Sequence, residues 1–194
     1  MIRTDIINYL VERCNATSYL EIGVWNGVNL NAIRCETKVA VDPDLMTAAT
    51  IHCTSDEFFE TNTNQFDVIF IDGLHEHHQV YKDITNALQC LRPSGFIVCH
   101  DMNPESEEVQ RVPYSGRGIW NGDCWKALVQ IRSERDDIAV QTVDTDYGCG
   151  IIYQAPSTRL DLQGLALTYE NFDKNRKNWL NLISTEEFLI NYTL

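Results

Sequence analysis

The sequence predicts an α/β protein: a three-layer sandwich whose mostly parallel, doubly wound (Rossmann-like) sheet ends in an antiparallel hairpin, with additional C-terminal helices. First, short apolar strands alternate with helical segments, which is typical of a parallel sheet with helices on its faces. Second, the runs at 66–72 and 95–100 are almost continuously apolar, as in strands covered on both faces. Third, two candidate strands, 138–143 and 147–154, are separated by a short acidic turn, which favours a hairpin.

The remaining elements follow from hydrophobic periodicity. Apolar residues recur at helical spacing in residues 2–13, which predicts an amphipathic helix. Two further apolar runs rich in Val and Ile predict strands at 19–24 and 38–42, and a weaker strand is expected near 50–54. Helices are predicted over 27–35, 78–91 and 123–135, with Asp123 as the N-cap of the last and Pro93 and Gly95 ending the second.

The chain divides at a Gln-Ala-Pro linker. Residues 1–155 are expected to form one ligand-binding α/β domain, and residues 156–194 a C-terminal helical extension. Bulky apolar side chains such as Trp179 and Phe188 occur in this extension. We therefore expect it to pack on the same domain or on a second copy of the chain, which leaves a homodimer open.

Composition limits the class of partner. The chain has 44% hydrophobic and 22% charged residues, as soluble globular proteins do, and a net charge of −13 that would repel a nucleic-acid backbone. No run approaches the 18 uncharged apolar residues of a membrane span, and charges within the first helix argue against a signal peptide. Its seven cysteines are dispersed without a C-x-x-C pair, which indicates free thiols. We expect a cytoplasmic protein with a small-molecule partner and neither a nucleic-acid nor a membrane partner.

Polar residues follow each predicted strand of the first half. In chain order, the five strand ends carry Glu21 (with Gly23 beside it), Asp42, Ser55 and Asp56, Asp72 and His75, and His100 and Asp101. The carboxyl ends of parallel strands meet at one edge of an open sheet, where such folds bind ligands. A single acid at a strand end often caps the following helix. Five strand ends that all present polar groups instead predict a ligand site.

Asp42 and the preceding turn indicate which ligand is expected. Asp42 ends the second strand, where an acid can accept hydrogen bonds from both hydroxyls of a ribose. The turn, E-I-G-V-W-N-G, lacks the G-x-G-x-x-G of a dinucleotide site, contains the bulky Trp25, and begins with a carboxylate that would repel phosphate. An acidic turn suits a ribose-bearing ligand with positive charge, and S-adenosylmethionine has that chemistry.

At these positions the sequence resembles the class I S-adenosylmethionine-dependent methyltransferases, and most closely the subgroup called methyltransferase family 24. The resembling segments are E-I-G-V-W-N-G (21–27), V-A-V-D (39–42), T-S-D (54–56), F-D-V-I-F-I-D-G-L-H (66–75) and G-F-I-V-C-H-D (95–101). The fourth is the most specific, because I-D-G-x-H before a helix is a mark of the subgroup. The resemblance covers about residues 17 to 155.

The resemblance implies roles for individual residues. At the cofactor it places Glu21, Gly23 and Gly27 along the methionine half, Asp42 at the ribose, Ser55 and Asp56 at the adenine edge, and Asp72 close by. Trp25 is expected either to cover the cofactor or to pack against a helix, and the sequence favours neither.

The resemblance also implies a reaction centre. In some relatives, including sugar O-methyltransferases of macrolide pathways, acids at the positions of Asp72 and Asp101 bind magnesium, and the histidine at the position of His75 is the base. Asp72, His75 and Asp101 are therefore the candidate catalytic residues. Asp72, Asp101 and His100 are candidate ligands of Mg²⁺ or another divalent cation. His100 stands where these relatives can carry an acid, so whether a metal binds stays open.

Two other features are interpreted from the residues alone. A metal site formed by His75, His77 and His78 is disfavoured, since His77 would point away from the other two on a helix. Asp83 is expected to face solvent or pair with Lys82. Residues 102–122 lack periodicity, and this long connection is interpreted as a lid over the substrate, with Tyr114, Arg117 and Trp120 as contact residues.

The expected function is therefore methylation of a small molecule, with O-methylation of a sugar or glycan precursor as the leading hypothesis. An N-methyltransferase of a small amine and a nicotinamide-dependent oxidoreductase are the alternatives. Amines need less activation than hydroxyls, so an N-methyltransferase would depend less on His75 and Asp101. The missing third glycine argues against a nicotinamide cofactor.

Overall fold

The structure, a computed structural model, describes residues 1–193 and is built around a seven-stranded sheet in the order β2-β1-β3-β4-β6-β5-β7. The strands are β1 (Ser18–Ile22), β2 (Thr37–Val41), β3 (Phe66–Ile71), β4 (Leu91–Cys99), β5 (Ile138–Val143), β6 (Cys149–Gln154) and β7 (Leu182–Ile183). The helices are α1 (Arg3–Arg13), α2 (Val28–Ala32), α3 (Ser55–Thr61), α4 (His77–Cys90), α5 (Trp125–Glu134), α6 (Tyr169–Trp179) and α7 (Thr185–Asn191).

Strand pairing confirms the predicted fold class. Strands β2, β1, β3 and β4 pair in parallel, and β6 pairs antiparallel with both β4 and β5. The sheet then extends one strand further than predicted, because the short β7 pairs in parallel with β5. The doubly wound sheet with its hairpin is thus present, and one edge strand comes from the C-terminal segment.

Helices cover both faces of the sheet. Alternate residues of β1 point to opposite sides, so that Leu20 joins a hydrophobic cluster with α3, α4 and α5, while Tyr19 joins a second cluster with α1, α2 and α7. All five residues of β1 are buried. Residues at the carboxyl ends of these strands are therefore held by packing on two sides.

The region after β2 differs from the prediction. The strand expected near 50–54 is reduced to a single bridge between Val41 and Ile51, and α3 begins directly afterwards. The Thr54 hydroxyl accepts a hydrogen bond from the Glu57 amide, and the Glu57 carboxylate accepts one from the Thr54 amide. This reciprocal capping box stabilises a helix start, which is why the segment is not a strand.

Asp123 is not the N-cap of α5. The helix begins one residue later, after Cys124, and Asp123 instead accepts a hydrogen bond from the amide of His77 at the start of α4, at 2.7 Å. Its other oxygen pairs with Lys126 at 2.9 Å. The helix start of α4 competes successfully for this carboxylate because its free amides need an acceptor.

The C-terminal segment shares the core of the domain. Trp179 is buried, its ring lies 6.2 Å from that of Trp125, and Phe172 stacks on Trp125 at 4.2 Å. Residues 156–193 thus contribute two helices and an edge strand to the same three-layer structure. No helix within residues 1–193 has the length and apolar character needed to cross a membrane.

Candidate active site

The turn after β1 lies directly against the end of β3. Gly23 has a left-handed backbone with φ of 84°, and a Cβ at this position would overlap the carbonyl oxygen of Asp72. Only glycine combines this conformation with so close an approach. The turn therefore brings the predicted cofactor residues at the end of β1 next to Asp72, one of the candidate catalytic residues.

Glu21 is buried at the end of β1 and held by two side-chain donors. The Tyr19 hydroxyl donates to Glu21 Oε2 at 2.5 Å, and Asn29 Nδ2 donates to the same oxygen at 2.9 Å. The Thr4 hydroxyl donates to Asn29 Oδ1 at 2.7 Å, so α1 supports the network. Burial raises the pKa of Glu21 to about 7, although both hydrogen bonds favour the ionised form.

Asp42 connects the turn after β1 to the turn after β2. Its Oδ2 accepts hydrogen bonds from the amides of Val24 at 2.8 Å and Trp25 at 3.2 Å, while Oδ1 accepts one from the Asp44 amide at 2.9 Å. The side chain of Trp25 is 78% exposed and does not pack against a helix. This exposure disfavours the interpretation as a helix-packing residue, and the contact of Trp25 with the cofactor stays a prediction.

Ser55 and Asp56 start α3 and are tied to α4. Gln79 Nε2 lies 3.1 Å from both Ser55 Oγ and Asp56 Oδ1, and Lys82 pairs with Asp56 at 2.5 Å. Asp83, expected to face solvent or to pair with Lys82, is instead buried beside Gln79 and Ser55, and burial raises its pKa to about 6. The expectation failed because Asp83 lies on the apolar face of α4.

The candidate catalytic residues at the ends of β3 and β4 come together. Asp72 Oδ1 lies 3.3 Å from His75 Nε2, and His75 Nδ1 lies 3.3 Å from Asp101 Oδ2. His100 Nδ1 is 3.4 Å from Asp72 Oδ1 and 3.3 Å from Asp101 Oδ2. His100 and Asp101 are buried, and Asp72 and His75 are partly exposed, so ligands can approach from the side of the latter two.

Opposite charges determine how this cluster is protonated. Burial disfavours the ionised form of Asp72, but the charges of His100 and His75 and their hydrogen bonds outweigh it and hold the pKa of Asp72 below its ordinary value. Burial alone would lower the pKa of His75, because it disfavours the charged imidazolium. The carboxylates of Asp72 and Asp101 have the larger effect, so the pKa of His75 is raised. The pKa of His100 is raised for the same reason, mainly by Asp72.

Within the part of the chain that the structure describes, one set of side chains converges as metal ligands would. Ligand atoms of Asp72, His75 and Asp101 lie within 4.8 Å of one another. His75 belongs to this set, and His100, which lies 3.4 Å from Asp72 and 3.3 Å from Asp101, stays a predicted ligand. The disfavoured trio of histidines does not converge, because His77 Nε2 contacts Gln130 Oε1 at 2.7 Å and His78 is exposed.

Two residues of the cluster were missed. Arg3, from α1, lies 3.4 Å from Asp72 and 3.5 Å from Asp146, and Asp146 lies 3.6 Å from His100 Nε2. Asp146 is in the turn of the hairpin, and β6 runs antiparallel to β4, which brings this turn to the same edge. Hairpin topology could therefore have predicted Asp146, whereas nothing in the sequence pattern indicates Arg3.

The predicted lid lies partly on the cluster. Residues 102–124 contain neither helix nor strand. The ring of Trp120 stacks on His75 with a centroid distance of 5.1 Å. The ring of Tyr114 in turn stacks on Trp120 with a centroid distance of 4.9 Å. Arg117 is exposed, and its carbonyl oxygen accepts a hydrogen bond from Arg111. Trp120 and Tyr114 thus extend from His75, while Arg117 lies away from it.

Comparison with known proteins supports the motif-based resemblance. Residues 20–102, which contain the ends of β1 to β4, match the family model of a methyltransferase domain, family 24. The resemblance inferred from the five sequence segments is thereby confirmed. No curated protein has significant sequence similarity to the chain.

Solved structures with the same fold include methyltransferases of different specificity. The O-methyltransferase TomG from Streptomyces achromogenes, in complex with S-adenosylmethionine, is 15% identical with a TM-score of 0.59, and the alignment covers 79% of each chain. A Podospora anserina methyltransferase bound to S-adenosylhomocysteine has the same identity and TM-score, with 79% and 78% covered. The N-methyltransferase NodS from Bradyrhizobium japonicum is 15% identical with a TM-score of 0.52, covering 79% of this chain and 94% of that one.

Proposed function

We propose that the protein transfers the methyl group of S-adenosylmethionine to a hydroxyl oxygen of a small molecule. The premise is the match of residues 20–102 to the family 24 model of a methyltransferase domain. The observation that carries the choice of oxygen is the convergence of Asp72, His75 and Asp101 beside the cofactor motifs. A hydroxyl must lose its proton to become a good nucleophile, and this cluster offers a base and anionic oxygens for that purpose.

The residues at the ends of β1 and β2 fit S-adenosylmethionine. Gly23 lets the turn after β1 lie against the backbone of Asp72, so that the ends of β1 and β3 face the same site. Asp72, which is ionised and partly exposed, offers a carboxylate to a ligand with positive charge. Asp42 offers its carboxylate to ribose hydroxyls, and its contacts with the amides of the turn hold it at the edge. When bound, S-adenosylmethionine supplies the methyl group and leaves as an uncharged thioether.

The cluster is suited to removing the proton of the acceptor. His75 is the candidate base, and Asp72 and Asp101 stabilise the imidazolium that forms when it takes a proton. A base must be neutral to take a proton, so the rate is expected to rise with pH as His75 loses its proton. Because the two carboxylates raise the pKa of His75, this rise is expected at higher pH than for an ordinary histidine. Asp72, His75 and Asp101 also provide the oxygen and nitrogen donors that a divalent cation accepts, and such a cation would lower the pKa of the acceptor hydroxyl.

A sugar or glycan precursor is the proposed acceptor. The partly exposed ring of Tyr114 stacks on Trp120, which stacks on His75, and aromatic faces suit the apolar faces of sugar rings. Carboxylates nearby can accept hydrogen bonds from further hydroxyls. An N-methyltransferase of a small amine is not favoured, because an amine does not need a base flanked by two acids.

The test is a comparison of His75→Ala with His78→Ala, which removes an exposed histidine in the first turn of α4. His75→Ala is expected to keep its affinity for S-adenosylmethionine and to lower the rate of methyl transfer to sugar hydroxyls by about 10²–10⁴-fold, as loss of a general base does. His78→Ala should retain the rate of the unmodified protein. An unaltered rate in His75→Ala would remove it from the proposed role as base.

A further inference from the structure

The first turn of α1 lies where the methionine half of the cofactor is proposed to bind. Nη1 of Arg3 lies 3.4 Å from Asp72 Oδ2. The hydroxyl of the next residue, Thr4, donates to Asn29, which in turn donates to Glu21. Arg3 thus reaches the end of β3, and Thr4 reaches the acid at the end of β1 through Asn29. The helix therefore adds a cation to an edge at which the strand ends present carboxylates.

Contacts with the turn between β5 and β6 hold Arg3 in place. Its amide donates to Asp146 Oδ2 at 2.9 Å, and its Nε lies 3.5 Å from the same oxygen. The Thr145 hydroxyl donates to the carbonyl oxygen of Met1 at 2.6 Å. The turn thereby fixes both the backbone and the side chain of Arg3. A group that is already ordered loses little conformational entropy when it binds a ligand.

The guanidinium of Arg3 keeps donors for a ligand. Its contacts with Asp72 and His100 are made by Nη1, and Nη2 has no hydrogen-bond partner within residues 1–193. The side chain is 32% exposed, so a ligand can reach it. A guanidinium presents its N–H groups in a planar fork that matches the two oxygens of a carboxylate.

Three other cations of the chain are engaged elsewhere. Lys38 donates to two backbone carbonyl oxygens of residues 30–33. Lys82 pairs with Asp56 at the proposed adenine edge, and Arg111 donates to groups within its own connection, residues 102–122. Arg3, by contrast, lies directly beside the end of β3. It is therefore the cation best placed to contact a ligand at the methionine half.

The methionine end of S-adenosylmethionine needs such a cation. It carries an α-carboxylate in addition to the positively charged ammonium and sulfonium groups. The acids that follow the strands suit the positive groups, but they repel the carboxylate, since like charges a few ångströms apart destabilise each other. A guanidinium at the same edge offsets this repulsion and donates hydrogen bonds to the carboxylate.

We propose that Arg3 binds the α-carboxylate of S-adenosylmethionine through the free N–H groups of its guanidinium. This inference rests on the proposed function for the identity of the ligand. It gives α1, which precedes the matched residues 20–102, a part in the cofactor site. Arg3 would then determine how well the site distinguishes a cofactor with an intact amino acid from an adenosine derivative that lacks the carboxylate.

Two ligands that differ only in the carboxylate test the proposal. S-adenosylhomocysteine has the carboxylate, and its decarboxylated analogue keeps the adenosine, the thioether and the terminal amine. Isothermal titration calorimetry measures both dissociation constants without an acceptor. The unmodified protein is expected to bind S-adenosylhomocysteine about 10- to 100-fold more tightly, as a charged hydrogen-bonded pair contributes. Equal affinity for the two ligands would overturn the proposal.

A pair of arginine variants tests whether Arg3 is the source of this preference. Arg3→Met removes the guanidinium and keeps an unbranched side chain, while Arg13→Met removes the same charge from the exposed last turn of α1. Arg3→Met is expected to bind S-adenosylhomocysteine about 10- to 100-fold more weakly and the decarboxylated analogue as before. Arg13→Met should keep the preference of the unmodified protein. An equal loss of affinity for both ligands in Arg3→Met would show that Arg3 only supports the fold of the site, which would contradict the proposal.

The role of Arg3 and the proposed function fail in different ways. If the unmodified protein binds neither ligand, the proposed function is wrong and the role of Arg3 falls with it. If it binds both ligands equally well, the cofactor assignment stands and the role of Arg3 is wrong. The second result requires no variant, so the proposal is tested even if Arg3→Met does not fold.

Discussion

Asp72 is the residue on which most charges of the site converge. Arg3, His75 and His100 all approach its carboxylate within 3.4 Å. These neighbours keep Asp72 ionised despite burial, and in turn Asp72 raises the pKa values of both histidines. The positive charge of S-adenosylmethionine or of a divalent cation would meet an anionic group that is already ionised and held in place.

Glu21 is expected to make the stability of the protein depend on pH. Its pKa is raised by burial to about 7, above the ordinary value of 4.5 for a glutamic acid. The folded state therefore binds a proton that the unfolded state releases between about pH 4.5 and 7, so the contribution of Glu21 to stability is present below this window and lost as the pH rises through it.

Glu21→Gln should remove this dependence. A carboxamide does not titrate, so the variant avoids the loss of stability that Glu21 causes as the pH rises. Its advantage in free energy of unfolding over the unmodified protein is expected to grow from pH 5 upwards and to reach about 3 kcal/mol at pH 8. Urea unfolding of both proteins at each pH measures the difference. Parallel pH profiles would show that Glu21 is not buried as an uncharged acid. Exposed Glu36→Gln serves as the control and should leave the profile unchanged.

Asp42→Ala is expected to weaken binding of S-adenosylmethionine by about 10- to 100-fold, because hydrogen bonds from ribose hydroxyls to a charged acceptor are lost. Asp44→Ala is the matched control, since it removes an exposed acid of the same charge two residues away. Isothermal titration calorimetry gives both dissociation constants. Equal affinity of the two variants and the unmodified protein would place Asp42 outside the ribose site.

At the scale of residues, the sequence could predict the strand-end acids and His75 because parallel topology brings the ends of β1 to β4 to one edge. Asp146 and Arg3 escaped prediction for different reasons. Asp146 depends on which strand the hairpin pairs with, and Arg3 reaches the cluster only because α1 packs beside β1. Local sequence carries neither piece of information.

At the scale of elements, periodicity predicted the long helices and the buried strands. The bounds of β5 were predicted to the residue, since its alternating pattern ends at a clear turn. The β-branched residues before α3 favour a strand, whereas the Thr54–Glu57 capping box starts a helix, so local propensity alone does not predict where α3 begins. Two-residue β7 has no periodicity of its own, and its pairing with β5 arises from tertiary contact.

The C-terminal segment should be necessary for the stability of the domain. Trp179 is fully buried near Trp125 and Phe172, so Trp179→Ala is expected to lower the free energy of unfolding by about 3–5 kcal/mol. Trp25→Ala provides the control, because it deletes an equally large side chain that is exposed. Similar stability of the two variants in urea unfolding would indicate that the segment does not share the core.

At the scale of the whole molecule, the comparisons with known proteins support the fold more strongly than they support a particular reaction. Residues 20–102 match the family model of a methyltransferase domain, and the solved structures share the Rossmann-like fold. Structures at 15% identity include both O- and N-methyltransferases, so the fold does not determine the atom that is methylated. The proposal of oxygen as the acceptor atom rests on the arrangement of Asp72, His75 and Asp101, and the proposal of a sugar rests on the stacked rings of Tyr114 and Trp120.

The central claim is that the edge formed by β1 to β4 binds S-adenosylmethionine. Calorimetric titration of the unmodified protein with S-adenosylmethionine, without acceptor or metal, tests it most directly. We expect saturable binding with one site per chain. Absence of saturable binding up to about 1 mM, where a specific site would still contribute about 4 kcal/mol, would contradict the account.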